Sequence, residues 1–213
     1  VTHISGTRRS VNLVTEEGQR MSLYDPRHPF EFIPDSSLWR EGIERSRHVH
    51  VSIMNWARYA LRDAVAAGRS TSTDLHDWDG VADYHKDFAY GADYVFVSAA
   101  ALRDESGVVA DVFARGRAQF VVVMAGSEGA RVWQWSDELP LRISPISIPG
   151  RPVVDSNGAG DSFVAAFLCH YLDHGDIFEA ARAGAVGGAW ACGTLGTHTS
   201  FVDAETLERL LAR

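Results

Sequence analysis

Between His48 and Met124 the chain alternates short apolar runs with amphipathic stretches, and that alternation leaves few folds open to it. Strand-like runs at His48–Ser52, Ser70–Asp74 and Tyr94–Ser98 each precede a helical pattern. The helices are expected at Trp56–Ala67, closed by Gly68, at Gly80–Ala89, and at Asp104–Arg115, ended by Gly116. Phe120–Met124 is apolar at every position, as in a strand buried on both faces. Such βαβ alternation predicts an α/β fold with a mostly parallel sheet and helices on both faces. Ala130–Trp135 and Arg142–Ile148 are expected as antiparallel additions at the sheet edge.

The flanks read differently. Val11–Val14 and Met21–Tyr24 are apolar runs joined by a polar stretch containing Gly18, which predicts a β-hairpin. Pro26 and Pro29 then break the pattern, and Ser36 is expected to cap a helix running toward Ser46. The C-terminal third is helical: Phe163, Val164, Phe167, Leu168, Tyr171 and Leu172 fall on one face, and Gly175 closes that helix. Ile177–Ala191 follows, rich in alanine and glycine, and Asp203 caps a last helix through Leu211.

With 213 residues, 46% hydrophobic and 23% charged, the chain has the material for one globular domain. A net charge of −8 argues against a nucleic-acid partner. No apolar run is long enough to span a bilayer, no signal peptide opens the sequence, and no membrane partner is expected. Cys169 and Cys192 stand apart in apolar surroundings, so free thiols in a reducing cytoplasm are expected. The sequence opens at Val1 and reads from the start like the middle of a domain. That leaves a fragment, or numbering that begins where an upstream segment ends.

The stretch that carries chemistry is Asp155-Ser156-Asn157-Gly158-Ala159-Gly160-Asp161-Ser162-Phe163. A turn with two glycines stands before an amphipathic helix, so backbone N–H groups converge and a ligand can approach the main chain. The helix N-terminus adds partial positive charge, and the pocket favours phosphate or a developing oxyanion. Asp161, in the first turn, is placed to accept a proton from a hydroxyl that attacks a phosphate. Capping and the helix dipole alone also favour an Asp at this position, and GxG turns precede helices without binding phosphate.

This string, from Val154 through Phe163, resembles the signature of the PfkB, or ribokinase-like, sugar kinases, and the overall feel is that of ketohexokinase- and fructokinase-type members. The resemblance implies a three-layer α/β/α sandwich with a small β lid, and ATP-dependent phosphorylation of a sugar hydroxyl. It makes Gly158, Ala159 and Gly160 the anion hole and Asp161 the base, in contact with substrate as well. Asp155 corresponds to a residue that helps bind a monovalent cation such as K⁺; its other reading is a turn-forming Asx. Asn157 falls within the same nucleotide-side turn. Phe120–Ala130 is similar to the family's strand and Gly-x-x-Gly turn, which assigns Gly126, Ser127 and Gly129 to the nucleotide. Met124 stands where a threonine is usual. Ala92–Ser98 matches a further strand, giving Ser98 a nucleotide-side place, but Ser98-Ala99-Ala100-Ala101 lacks the Asn-x-x-Glu motif of many relatives. Mg²⁺ would then be held through water and ATP phosphates. Cys192–Thr197 is similar to the glycine loop beside the adenine and cation sites, which brings in Gly196. Asn55 lies near where relatives contact sugar.

The resemblance divides the chain into a lid segment and return, 1–34, and a catalytic core, 35–213, with the family's N-terminal sugar-binding segment absent. It implies a homodimer through the lid. A non-catalytic or truncated descendant, a nucleoside kinase, and a different phosphate binder matched by chance are the alternatives.

Other clusters carry less. His170 and His174 are four apart on one helix, a zinc-compatible spacing, but no third ligand is evident and the pair is read as exposed or satisfied in the core. His48 and His50 share a strand face and are read as structural. Asp74, Asp77 and Asp79 are read as a solvated acidic loop, with Asp74 the one that can approach phosphates or metal. Gly-x-Ser-x-Gly does not occur, and the dinucleotide fingerprint fails at Phe163.

Overall fold

The computed structural model describes residues 4–14, 20–197 and 199–212. Strands β1 (Arg9–Val14) and β2 (Arg20–Asp25) form an antiparallel ribbon, with Val11 opposite Leu23 and Leu13 opposite Met21. This is the predicted hairpin pairing; its connection, including Gly18, lies outside the described residues. There follow α1 (Ser37–Arg45), β3 (His48–Ser52), α2 (Ala57–Ala66), β4 (Ser70–Asp74), α3 (Asp83–Gly91) and β5 (Tyr94–Ser98). Next come α4 (Glu105–Arg115), β6 (Phe120–Met124), β7 (Ala130–Gln134) and β8 (Leu141–Ile143). The chain ends with α5 (Ala159–His174), α6 (Ile177–Cys192) and α7 (Ala204–Leu211).

Strands β3 to β8 lie side by side in sequence order in one six-stranded sheet. The pairs from β3 to β6 are parallel, and β7 and β8 add antiparallel. Strand alternation sends Val95, Val97, Val121 and Val123 to one face, against Leu61, Phe88, Val109 and Val112 of α2, α3 and α4. The intervening Tyr94, Phe96, Phe120 and Val122 face Phe163, Phe167 and Ala180 of α5 and α6. Helices on both faces make the expected three-layer α/β/α sandwich. Helix α6 comes very close to α5: a Cβ on Gly187 would stand 2.7 Å from the Ala166 Cβ and the Ser162 carbonyl oxygen. That contact fixes the first turns of α5 against the body of the molecule.

Three sequence expectations shift. Ser36 makes no capping bond; the Asp35 carboxylate accepts the Ser37 N–H instead, at 2.9 Å. The helix expected from Gly80 begins at Asp83, because Gly80 sits at φ +82° and Asp79 takes the amides of Val81 and Ala82, both at 2.9 Å. The strand expected to reach Ile148 stops at Ile143, and Pro145 and Pro149 follow without donors for a ladder. Gly175 and Asp203 act as predicted: Gly175 ends α5 at φ +74°, and the Asp203 carboxylate accepts the Thr206 N–H at 2.7 Å. Cys169 and Cys192 are free thiols. Among the described residues no helix is long and apolar enough to cross a membrane.

Candidate active site

Residues 155–161 form a bent approach to α5. Gly158 precedes the helix at φ +80°, in the left-handed region, and a Cβ there would lie 3.2 Å from Thr197. Asp155 braces the turn from two sides. One carboxylate oxygen accepts the Asn157 N–H and the other accepts the Gly196 N–H, each at 2.9 Å. The amides of Val154 and Asp155 both donate to the Cys192 carbonyl, at 2.7 and 3.1 Å. Asp155, Asn157 and Gly196, distant in sequence, are thereby brought together. The Ala159 N–H donates to the Ser156 carbonyl at 3.2 Å. Gly160 and Asp161 stand in the first turn, where a helix supplies its amides with no intrahelical acceptor, at the positive end of the α5 dipole.

Asp161 is exposed, and among the described residues its carboxylate accepts no hydrogen bond. Its negative charge is felt at the ends of β3 and β4. Desolvation lowers the His50 pKa and Asp161 pulls it back up. Asp74 is only 4% exposed, and burial raises its pKa. The neighbouring His76 opposes that rise, while Asp161 and Asp77 add to it. The His76 N–H donates to Asp74 at 2.9 Å. The solvated loop expected for Asp74 is therefore corrected: this carboxylate is buried and electrostatically linked to Asp161. The signal was available in Ser70-Thr71-Ser72-Thr73-Asp74, a polar run inside a parallel sheet whose Thr71, Ser72, Thr73 and Asp74 are all buried. Further along the same face, His48 contacts the hydroxyls of Ser70 and Ser72, at 2.9 and 2.8 Å, and His50 contacts Ser72 at 2.8 Å, the structural roles expected. Burial holds the His48 pKa down at about 4.

The second glycine turn, Gly126–Glu128, joins β6 to β7. Gly129 closes it at φ +86°, and a Cβ there would stand 2.0 Å from the Ile143 carbonyl oxygen. Ser127 is exposed at its tip. The two turns are neighbours, since the Met124 methyl lies 3.8 Å from where a Cβ on Gly160 would be. Ser98 pairs in register with Met124, and its Oγ accepts the Ala100 N–H at 3.2 Å. The Asn55 side-chain amide donates to the Phe30 carbonyl at 2.5 Å, tying the return from the ribbon to the end of β3. Asn55, Asp74, Ser98 and Met124 thus mark the C-terminal side of four neighbouring strands, where open α/β sheets build their ligand sites, with the N-terminus of α5 facing them.

A model of the pfkB family carbohydrate kinases matches residues 48–204, the whole six-stranded sheet and the whole glycine turn. The chain belongs to the PfkB family of carbohydrate kinases. It is therefore a sugar kinase, a transferase of phosphoryl groups. An acarbose 7(IV)-phosphotransferase from an Actinoplanes species is 37% identical over 206 residues, covering 96% of this chain and 69% of that protein. The structure of a microbiome-derived acarbose kinase, Mak1, matches with a TM-score of 0.95 and 98% identity, over 100% of this chain and 72% of that one. The Arabidopsis thaliana ribokinase structure with ribose and ATP shares the fold at 20% identity, TM-score 0.78, over 97% of this chain and 69% of that one.

Proposed function

We propose that this PfkB kinase transfers the γ-phosphoryl group of ATP to a hydroxyl of acarbose, with Asp161 as the base that deprotonates that hydroxyl. The acceptor is argued from the 98% identity to an acarbose kinase and the 37% identity to an acarbose phosphotransferase. The observation that carries the mechanism is the placing of an exposed carboxylate in the first turn of α5, directly after a glycine turn. The Gly158–Asp161 backbone lines the anion hole. Of its amides, Ala159 is engaged with Ser156, so Gly158, Gly160 and Asp161 receive the transferring phosphoryl oxygens. The nucleotide lies along Gly126, Ser127 and Gly129, with Ser98, Asn157 and Gly196 on its border, and Asn55 contacts the sugar.

Asp74, Asp77 and Asp161 gather negative charge that a cation would relieve, which fits Mg²⁺ arriving on ATP phosphates. When bound, Mg²⁺ neutralises charge on the transferring phosphate. Asp74 is the buried carboxylate to hold it through water, which leaves Asp161 to the proton. Asp155 already accepts two backbone amides, so a K⁺ ion beside it would share the brace that positions the glycine turn. Replacing K⁺ with Na⁺ at constant ionic strength is expected to lower turnover.

The ribbon acts as the lid over the sugar and as a homodimer contact. Val11, Leu13, Met21 and Leu23 pair across β1 and β2 on one face, and each is more than half exposed. A two-stranded ribbon is not stable alone, and pairing with a second copy covers that face. The enzyme works in the cytoplasm, on small molecules. The test is product identification: the protein, expressed with whatever coding sequence lies upstream of Val1, is incubated with ATP and acarbose, other sugars and nucleosides. A phosphorylated acarbose is expected; turnover of nucleosides alone would replace the acceptor.

A further inference from the structure

The far end of α5 carries a constellation that phosphoryl transfer does not use. His170 and His174 lie one turn apart on the same face of the helix, with ring centroids 4.5 Å apart. That face continues from Ala166, which packs with Ala183 and Val186 of α6 and with Leu207 and Leu211 of α7. The same packing brings Glu208, next to Leu207, alongside the two imidazoles. One ligand atom from each of His170, His174 and Glu208 lies within 4.8 Å of the other two. A tetrahedral zinc ion with bonds of about 2.0–2.2 Å holds its ligands roughly 3.4 Å apart, a closure that rotamer shifts of the exposed His174 and Glu208 can supply.

A further observation points the same way. The Nδ1 atom of His170 is buried and makes no hydrogen bond among the described residues, and a buried imidazole nitrogen without a partner calls for one. The helical spacing that the sequence offered with two ligands acquires its third from α7.

We propose that His170, His174 and Glu208 bind a divalent transition-metal ion of the zinc type, with water completing the shell, and that the ion fastens α7 to α5. Two imidazoles and a carboxylate suit Zn²⁺ and its neighbours, whereas Mg²⁺ prefers all-oxygen shells. The site is separate from the kinase centre: His170 lies nine residues beyond Asp161, roughly 14 Å along the helix axis.

The test uses tag-free protein stripped with a chelator, titrated with Zn²⁺ by calorimetry and with Co²⁺ by visible absorption. One equivalent is expected, with Co²⁺ giving ligand-field bands of a site containing imidazole. At a hundredfold excess of Zn²⁺ over its Kd, the Tm is expected to rise on the order of 5–10 °C. His174→Ala and Glu208→Gln, both at exposed positions, are expected to weaken binding by no less than the roughly tenfold that even an outer partner of a metal ligand costs. Their metal-free Tm is expected to match the wild type, which separates lost ligation from lost folding. The Asp161→Asn variant is expected to keep the full equivalent. The proposal is overturned if the wild type binds neither ion, or if the His170→Ala/His174→Ala double variant binds as tightly as the wild type.

Discussion

Two glycine turns stand side by side at the end of the sheet, and they are glycine-rich for different reasons. At Gly129 the fold alone demands the residue: φ is +86°, and a Cβ would meet the Ile143 carbonyl oxygen at 2.0 Å. At Gly160 the fold demands nothing of the kind. The residue lies inside α5, and the nearest atom to an added Cβ is the Met124 methyl at 3.8 Å, an ordinary contact. Alanine would be the better helix former there by up to about 1 kcal/mol. Glycine where neither backbone nor packing requires it is what a site needs when a ligand must come close to the main chain. Gly129 makes its turn, whereas on the proposed mechanism Gly160 serves the reaction.

The largest effect expected within this comparison is on stability. Gly129→Ala is predicted to destabilise the protein by about 3 kcal/mol, combining a backbone region nearly restricted to glycine with a backbone clash. Chemical denaturation without any substrate reads this; a change under about 1 kcal/mol would remove the structural half of the contrast. Next comes Gly160→Ala, with the opposite signature. Its Tm is expected to hold or rise, while kcat falls on the order of 100-fold as an anion-hole approach is blocked. A variant that melts early, or one that turns over normally, breaks the functional half. Gly158→Ala should fall between the two, losing about 1 kcal/mol to the left-handed φ of +80°.

The smallest effect sharpens the electrostatic side. Burial, with Asp161 and Asp77 nearby, raises the Asp74 pKa. A raised carboxylate stabilises the fold fully below its ordinary pKa and loses that contribution as pH climbs through the folded value. Asp74→Asn is therefore predicted to gain stability over the wild type as pH rises from the acid range to neutrality, with no gain below the ordinary carboxylate range. Denaturation midpoints across pH check this; a gain that shrinks as pH rises contradicts it.

Much of this was legible in the residues. Phe120–Met124 declared a two-sided strand because no position carries a polar side chain, and the order of strands and helices then pointed to the parallel sheet. The turn before α5, with Asp161 in the first helical turn, was legible because a carboxylate, two glycines and a helix start fall within four residues. What escaped depended on contacts between distant residues. Asp74 looks like part of an acidic loop until the sheet buries it under its neighbours. Glu208 lies 34 residues beyond His174, and no local pattern joins the two. Asp35 displaced Ser36 as a cap because both are good acceptors, and only backbone geometry chooses between them.

The central claim is that the carboxylate of Asp161 takes the proton from the sugar hydroxyl. Its most direct test is single-turnover phosphoryl transfer from ATP to acarbose by wild type and Asp161→Asn, with ATP affinity measured on both. The account predicts a transfer rate lower by about 100- to 10,000-fold at unchanged ATP affinity. An Asp161→Asn enzyme that transfers phosphate within a few-fold of wild type would contradict it.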